Sequence, residues 1–184
     1  MQFAGSHILS VQQFERADVE RIFAVADRMS PYARRLRVTR VLDGAILGSM
    51  FFEPSTRTRV SFGSAFNLRG GEVRETTGIE NSAIAKGESL YDTARVLSGY
   101  SDVIVMRHPV AGSVAEFAAA SRVPVINGGD GSNEHPSQAL LDLYTIKSEQ
   151  AERGRGIDQL RIAMVGDLRF GRTVHSLSKL LCLF

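Results

Sequence analysis

The stretch Phe51-Phe52-Glu53-Pro54-Ser55-Thr56-Arg57-Thr58-Arg59-Val60-Ser61-Phe62 decides how the chain is read. The apolar run that leads into it, residues 45–52, reads as a buried strand. The run stops at Glu53-Pro54, and proline biases the residue before it away from helix, so the turn is sharp. Ser55, Thr56, Arg57 and Thr58 then arrive together where a helix can begin. Hydroxyls and a guanidinium at a helix N-terminus make an oxyanion site, because free N–H groups and the positive end of the helix dipole face the ligand. Arg57 adds a planar fork suited to phosphate. An ordinary N-cap needs one hydroxyl and leaves Arg57 and Arg59 in one turn unexplained.

Working outward, strands alternate with helices. The 3.6-residue spacing of Val19, Ile22, Phe23, Ala26 and Met29 predicts a helix over 17–29. The motif helix runs over 56–69 and ends at Gly70-Gly71, with a short strand over 72–76. Residues 77–87 read as a loop, 88–99 as a helix, and 102–106 as a β-branched strand covered on both faces. A helix over 113–121, a strand over 123–126, a Gly-rich loop over 128–134 and a helix from Pro136 to about residue 150 follow. This alternation predicts an α/β fold, a parallel sheet with helices on both faces. Residues 1–150 form that domain, including a helix that crosses to a second domain. Residues 151–160 read as a polar linker. A strand over 161–165 and a helix over 173–183 read as the start of a second α/β domain that is cut short.

The composition excludes several classes. A 43% hydrophobic content is ordinary for a globular protein, and no apolar run reaches the roughly 18 residues of a membrane span. A net charge of +2 with mixed signs gives no case for nucleic acid. No signal peptide is visible, and the single cysteine, Cys182, excludes an internal disulfide and fits a reducing cytoplasm. Cys182 reads as a buried or terminal thiol rather than a nucleophile. The four histidines are scattered, so no metal site is expected. The cluster Arg34, Arg35, Arg37 and Arg40 reads as a solvated surface.

In an open parallel sheet ligands bind at the carboxyl ends of strands. Ser55–Thr58, the 77–87 loop, Arg107-His108 and the 128–138 loop all sit there. Read from the residues alone, Arg107 is either a ligand group or an arginine paired with a local aspartate. His135 is a helix cap, a surface residue or a catalyst. Residues 166–173 nearly fit the phosphate loop Gly-x4-Gly-Lys-Ser/Thr. Arg172 stands where that loop uses lysine as a compact point charge, and arginine is not equivalent there. Nucleotide binding is the weaker reading of this segment.

The opening stretch resembles the carbamoyl-phosphate-binding motif of the carbamoyltransferases, in the form typical of aspartate rather than ornithine carbamoyltransferases. The resemblance continues in Met106-Arg107-His108-Pro109, in residues 129–138, and in Gly166-Asp167-Leu168 with residues 171–176. It implies that Ser55, Thr56, Arg57, Thr58, Arg107, His135 and Gln138 bind carbamoyl phosphate, with Ser82 and Lys86 reaching in from a neighbouring subunit. Ala85 stands where the family often carries a second basic residue before the lysine. Thr58, Arg107 and His135 would contact the carbamoyl oxygen, and Gln138 the carbamoyl nitrogen. Arg57, Thr58, Arg107 and His135 are thereby the candidate catalytic residues. Lys86 and Arg172 would bind aspartate, with Glu53 as the polar partner of Arg172.

The implied function is carbamoyl transfer from carbamoyl phosphate to L-aspartate, giving N-carbamoyl-L-aspartate and phosphate, an early step of pyrimidine synthesis. It needs no cofactor and no metal. The resemblance further implies a cytoplasmic homotrimer with sites shared between chains, and a regulatory subunit as a possible partner. It leaves two other readings open: a non-catalytic phosphate-binding or oligomerisation chain, and an ornithine-type transferase.

Overall fold

Four parallel strands form a single sheet in a computed structural model of the chain, which describes residues 1–78 and 83–184. In chain order they are β1 (Ile46–Phe51), β2 (Glu72–Thr77), β3 (Val103–His108) and β4 (Val125–Asp130). Their order across the sheet is β2-β1-β3-β4. The helices are α1 (Arg16–Ala33), α2 (Thr56–Asn67), α3 (Leu90–Leu97), α4 (Ser113–Ala120), α5 (Pro136–Glu152) and α6 (Arg172–Leu181). Two 3-10 turns, Val11–Gln13 and Ala83–Lys86, complete the described elements.

Successive side chains of a strand point to opposite faces, and each face here has its own cover. Met50, Ile104 and Met106 pack with Val114 and Phe117 of α4 and Ala94 of α3. Leu47, Phe51 and Val105 pack on the other face with Phe62 and Phe66 of α2. The central strand β3 is therefore apolar on both sides, with Ile104, Val105 and Met106 fully buried. A third cluster joins Val19 and Phe23 of α1, Ala139 and Leu143 of α5, and Leu180 of α6. Of the helical face read from residues 17–29, Val19, Ile22 and Phe23 pack there, while Ala26 and Met29 are half-buried outside the cluster. Arg34, Arg35, Arg37 and Arg40 are exposed, and so is Cys182.

The outer edge of β4 is covered by the chain's early residues. Ile8 N–H donates to Val125 O at 2.8 Å, and Asn127 N–H donates to Ile8 O at 2.8 Å. The buried Asn127 side chain extends this tie, donating from Nδ2 to Leu9 O at 2.9 Å and accepting from Gly129 N at 2.8 Å. These bonds carry β4 past residue 126, so part of the expected Gly-rich loop is strand. β3 likewise runs on to His108 and includes Arg107.

Residues 161–165 do not form the strand that their composition suggests. A strand needs a ladder partner, since unpaired backbone groups gain nothing from extension. The β4 edge is already taken by residues 7–9, and Val165 remains 97% exposed. Among the described residues no helix is long and apolar enough to cross a membrane.

Asn127→Ala removes a donor and an acceptor from a buried network and leaves Leu9 O and Gly129 N–H unpaired. The expected loss is about 1–3 kcal/mol of unfolding free energy, read as a lower urea midpoint at unchanged slope.

Candidate functional site

The chain leaves β1 for β2 on one side of the sheet and returns to β3 on the other. Their carboxyl ends flank the topological switch point, where open α/β sheets bind ligands. Glu53 follows β1, Arg107 lies near the end of β3, and His135 follows β4. A cleft of about 1030 Å³ opens over them, lined by Ser55, Thr56, Arg57, Thr58, Arg107, His135, Gln138 and Arg172, with Asp142 on its rim.

Ser55 holds the N-cap position of α2, with extended φ −159° and ψ 99°, yet its hydroxyl makes no cap hydrogen bond. No acidic residue lies in the first turn of α2. Ser55, Thr56 and Thr58, at the N-terminus of that helix, all line the cleft, an arrangement that favours an anion. Arg57 is exposed and lines the same space. Arg59 does not belong to the site. Its Nη1 pairs with Glu75 on β2 at 2.7 Å, so it ties the motif helix to the sheet edge.

Glu53 sits between two arginines. Arg107 Nη2 donates to its Oε1 at 3.0 Å. Arg172 Nη1 donates to Oε2 at 3.1 Å and Nη2 to Oε1 at 3.3 Å. Burial opposes ionisation of Glu53, but the hydrogen bonds from Arg172 and Arg107 outweigh it and hold the carboxyl below its ordinary range. Burial pushes the Arg107 guanidinium down from its usual value. The Arg107 Nε–H is buried without a partner among the described residues. Arg172 Nη1 also donates to Gly131 O.

Gly129 makes this convergence possible. Its φ of +124° suits glycine alone, and a Cβ there would lie 3.1 Å from Arg107 Nη1 and 3.3 Å from Arg172 Cζ. Any side chain would push into both guanidinium groups.

His135 is 4% exposed and caps α5 by position. Its backbone N–H donates to Ser176 Oγ on α6 at 3.1 Å. Its Nδ1 lies 3.3 Å from Ser137 Oγ. The preceding Glu134, 3% exposed, accepts from Ser10 Oγ, Val11 N and Lys179 Nζ at 2.8–2.9 Å. Two distant segments, the chain at Ser10-Val11 and helix α6, thus fix the loop that presents His135. Burial, then the positive charges of Arg107 and Arg172, lower its pKa from 6.5 to about 4, so the imidazole is neutral at pH 7.

The structure brings together eight of the residues read from the sequence: Ser55, Thr56, Arg57, Thr58, Arg107, His135, Gln138 and Arg172. Lys86 is exposed on the 3-10 turn and does not line this cleft. Ser82 lies outside the described residues. The phosphate-loop alternative for residues 166–173 loses its ligand amides. Asp167 Oδ1 already accepts from Arg169 N at 3.1 Å and Phe170 N at 2.9 Å, and a carboxylate fills the place of a phosphate. Among the described residues no cluster of three or more His, Cys, Asp or Glu fit for a metal is found. Sequence reasoning missed Ser137, Asp142, Ser176 and Lys179. Only Asp142 carried a local signal, since it falls one helical turn after Gln138.

A family profile described as "Aspartate/ornithine carbamoyltransferase, carbamoyl-P binding domain" matches residues 6–148. The chain belongs to the aspartate/ornithine carbamoyltransferase family. The chain is 80% identical over 184 residues to the aspartate carbamoyltransferase catalytic subunit of Saccharophagus degradans, covering all of this chain and 55% of that protein. It is 77% identical over the same span to that of Cellvibrio japonicus, covering 54% of it. Among solved structures, the Trypanosoma cruzi aspartate transcarbamoylase in complex with carbamoyl phosphate and aspartate superposes with a TM-score of 0.88 at 45% identity. That match covers 96% of this chain and 57% of the other. The M. jannaschii catalytic subunit gives 0.87 at 49% identity, over 97% of this chain and 57% of that one. The chain therefore spans about half the length of the carbamoyltransferases it matches.

The buried neutral His135 gives stability a defined pH dependence. With the folded pKa at about 4 and the ordinary value at 6.5, the unfolded chain binds a proton over that interval that the folded chain refuses. Stability therefore falls as pH is lowered through it, by about 2 kcal/mol between pH 7 and pH 5. His108, lowered by burial, acts in the same sense. Glu53 loses its contribution only at lower pH, below its ordinary 4.5. Urea unfolding of His135→Gln at the two pH values should show a fall smaller by that amount; an equal fall would place the His135 proton elsewhere.

Proposed function

We propose that the cleft binds carbamoyl phosphate and that the chain forms the carbamoyl-phosphate half of an enzyme carbamoylating L-aspartate. The observation that carries this reading is the convergence on one cleft of an uncapped helix N-terminus, Arg57, Arg107, His135 and Arg172. The phosphate would sit on the first turn of α2, held by Ser55, Thr56, Thr58 and the Arg57 fork. The carbonyl oxygen would take hydrogen bonds from Thr58, Arg107 and His135. With Nδ1 accepting from Ser137, the neutral His135 keeps its proton on Nε2 and donates from there.

In the proposed reaction the aspartate amine attacks the carbonyl carbon. Negative charge grows on the carbonyl oxygen, the bond from carbon to the phosphate oxygen breaks, and the amine's proton leaves with the phosphate. Preorganised donors at such an oxygen contribute about 3–4 kcal/mol each. Arg172 supports the aspartate half of the reading. Among the described residues, Glu53 and Gly131 take three of its five N–H groups, all on the Nη atoms. The Nε–H and one Nη2–H remain, and these form the second bidentate edge of the guanidinium, matched to a carboxylate.

A homotrimer that completes its sites with Ser82 and Lys86 from the neighbouring chain belongs to the same proposal. Its support is the position of Lys86, exposed and away from the cleft of its own chain. A role in pyrimidine synthesis, a cytoplasmic setting and a regulatory partner are further parts of it. Production of carbamoyl-aspartate by this chain, beside calorimetric titration with carbamoyl phosphate, tests the reading directly. Binding without turnover would favour the phosphate-binding alternative.

Arg57→Ala should weaken carbamoyl phosphate binding by about 10- to 100-fold, since a hydrogen bond to a charged group is worth about 1.5–3 kcal/mol. An unchanged titration in a folded variant removes Arg57 from the site. Mixing Arg57→Ala chains with Lys86→Ala chains should restore some binding, because a mixed trimer holds one site with neither lesion. Mixed trimers that recover nothing would mean each site is built within one chain.

A further inference from the structure

The cleft gathers three arginines and a helix N-terminus, a setting for an anion, yet Asp142 lines it as well. Glu53 is matched by Arg107 and Arg172, so its charge has a structural reason. The partner of Asp142 is a neutral amide: Gln138 Nε2 donates to Asp142 Oδ1 at 2.8 Å. The two residues stand four apart on α5 and share a face of the helix.

A carboxylate only accepts hydrogen bonds, so the end of the Gln138 amide turned toward Asp142 must be its NH2. The amide is planar, so fixing its NH2 on Asp142 also fixes the direction of the other arm, the oxygen. A glutamine amide has two orientations of nearly equal shape, and which one is adopted decides whether a ligand meets a donor or an acceptor. We propose that Asp142 is a specificity-determining positioning residue that holds the Gln138 amide with Oε1 presented to the cleft. The site then selects an acyl phosphate whose acyl group carries an NH2 over one that carries a methyl group. This inference rests on the carbamoyl phosphate reading above. Carbamoyl phosphate and acetyl phosphate share size and phosphate, and only the former donates to Oε1. Sites built to pair an N–H reject the analogue that lacks it.

The test is calorimetric titration of the 184-residue chain with carbamoyl phosphate, acetyl phosphate and inorganic phosphate, in wild type, Asp142→Asn and Asp142→Ala. Wild type should prefer carbamoyl over acetyl phosphate. In Asp142→Asn the new amide can donate to Gln138 Oε1 and turn its NH2 into the cleft. Losing the Asp142 charge strengthens all three anions alike, so the readout is the ratio of carbamoyl to acetyl phosphate affinity, which should fall about 10-fold, the size of one lost hydrogen bond. Asp142→Ala frees the amide without reversing it and should give a smaller loss of the same kind. Inorganic phosphate has no acyl group, so an affinity no weaker than in wild type reports an intact pocket. Should neither variant fold, wild-type NMR decides. A hydrogen-bonded Gln138 side-chain proton that persists without ligand supports the role, and a freely rotating amide overturns it. Preference retained in both variants, or equal loss for all three ligands, overturns the role of Asp142. Wild type that binds both acyl phosphates equally overturns this inference alone. Wild type that binds neither carbamoyl nor inorganic phosphate overturns the functional reading beneath it.

Discussion

One carboxylate holds the cleft together. Glu53 follows the first strand, and on it converge an arginine from β3 and an arginine from the first turn of α6. Without it, two guanidinium groups would face each other across Gly129 in a partly buried space, where like charges repel strongly. With it, both forks are oriented, and each keeps N–H groups directed elsewhere. The same bridge pins the start of α6 to the sheet, and the Ser176 and Lys179 bonds pin the rest of that helix to the His135 loop. Orientation of the arginines and docking of α6 are thus two results of one interaction.

The remaining groups of the cleft are held by elements whose own needs are met elsewhere. Asp130, 2% exposed, accepts from Gly112 N and Asn133 Nδ2 and closes the turn after β4. Glu134 collects its three donors from the early chain and α6. The first turn of α2 has a serine at its cap position whose hydroxyl makes no cap hydrogen bond. Its positive end faces the cleft with that hydroxyl free.

Much of this was legible in the sequence. The order of strands and helices followed from periodicity and turn residues, and the apolar run of β3 announced a sheet covered on both sides. Ser55–Thr58 declared a helix N-terminus by residue type alone. What the sequence could not carry was pairing across long separations. Arg107 reads locally as a partner for a nearby aspartate, yet its partner is Glu53, far back in the chain. Arg57 and Arg59 look equivalent by spacing, and only the register of β2 beside β1, which places Glu75 within reach, separates them. Residues 161–165 have a strand's composition without a strand's neighbour. Ser176 and Lys179 belong to the His135 loop through tertiary contact, which no local pattern records.

The tie between residues 7–9 and β4 also sets an order of events. His7 and Leu9 bond to residues 118 positions later in the chain. At about 5–20 residues per second, synthesis takes roughly 6–24 seconds to reach from one to the other. Through that interval the early segment is made and has no edge to join. Contacts of such separation carry a loop-closure cost and form late. β4 accordingly completes its Asn127 network only when residues 7–9 return, and until then its edge is open to any passing strand. The last closure of the sheet is thus made by a segment synthesised well before the strand it joins.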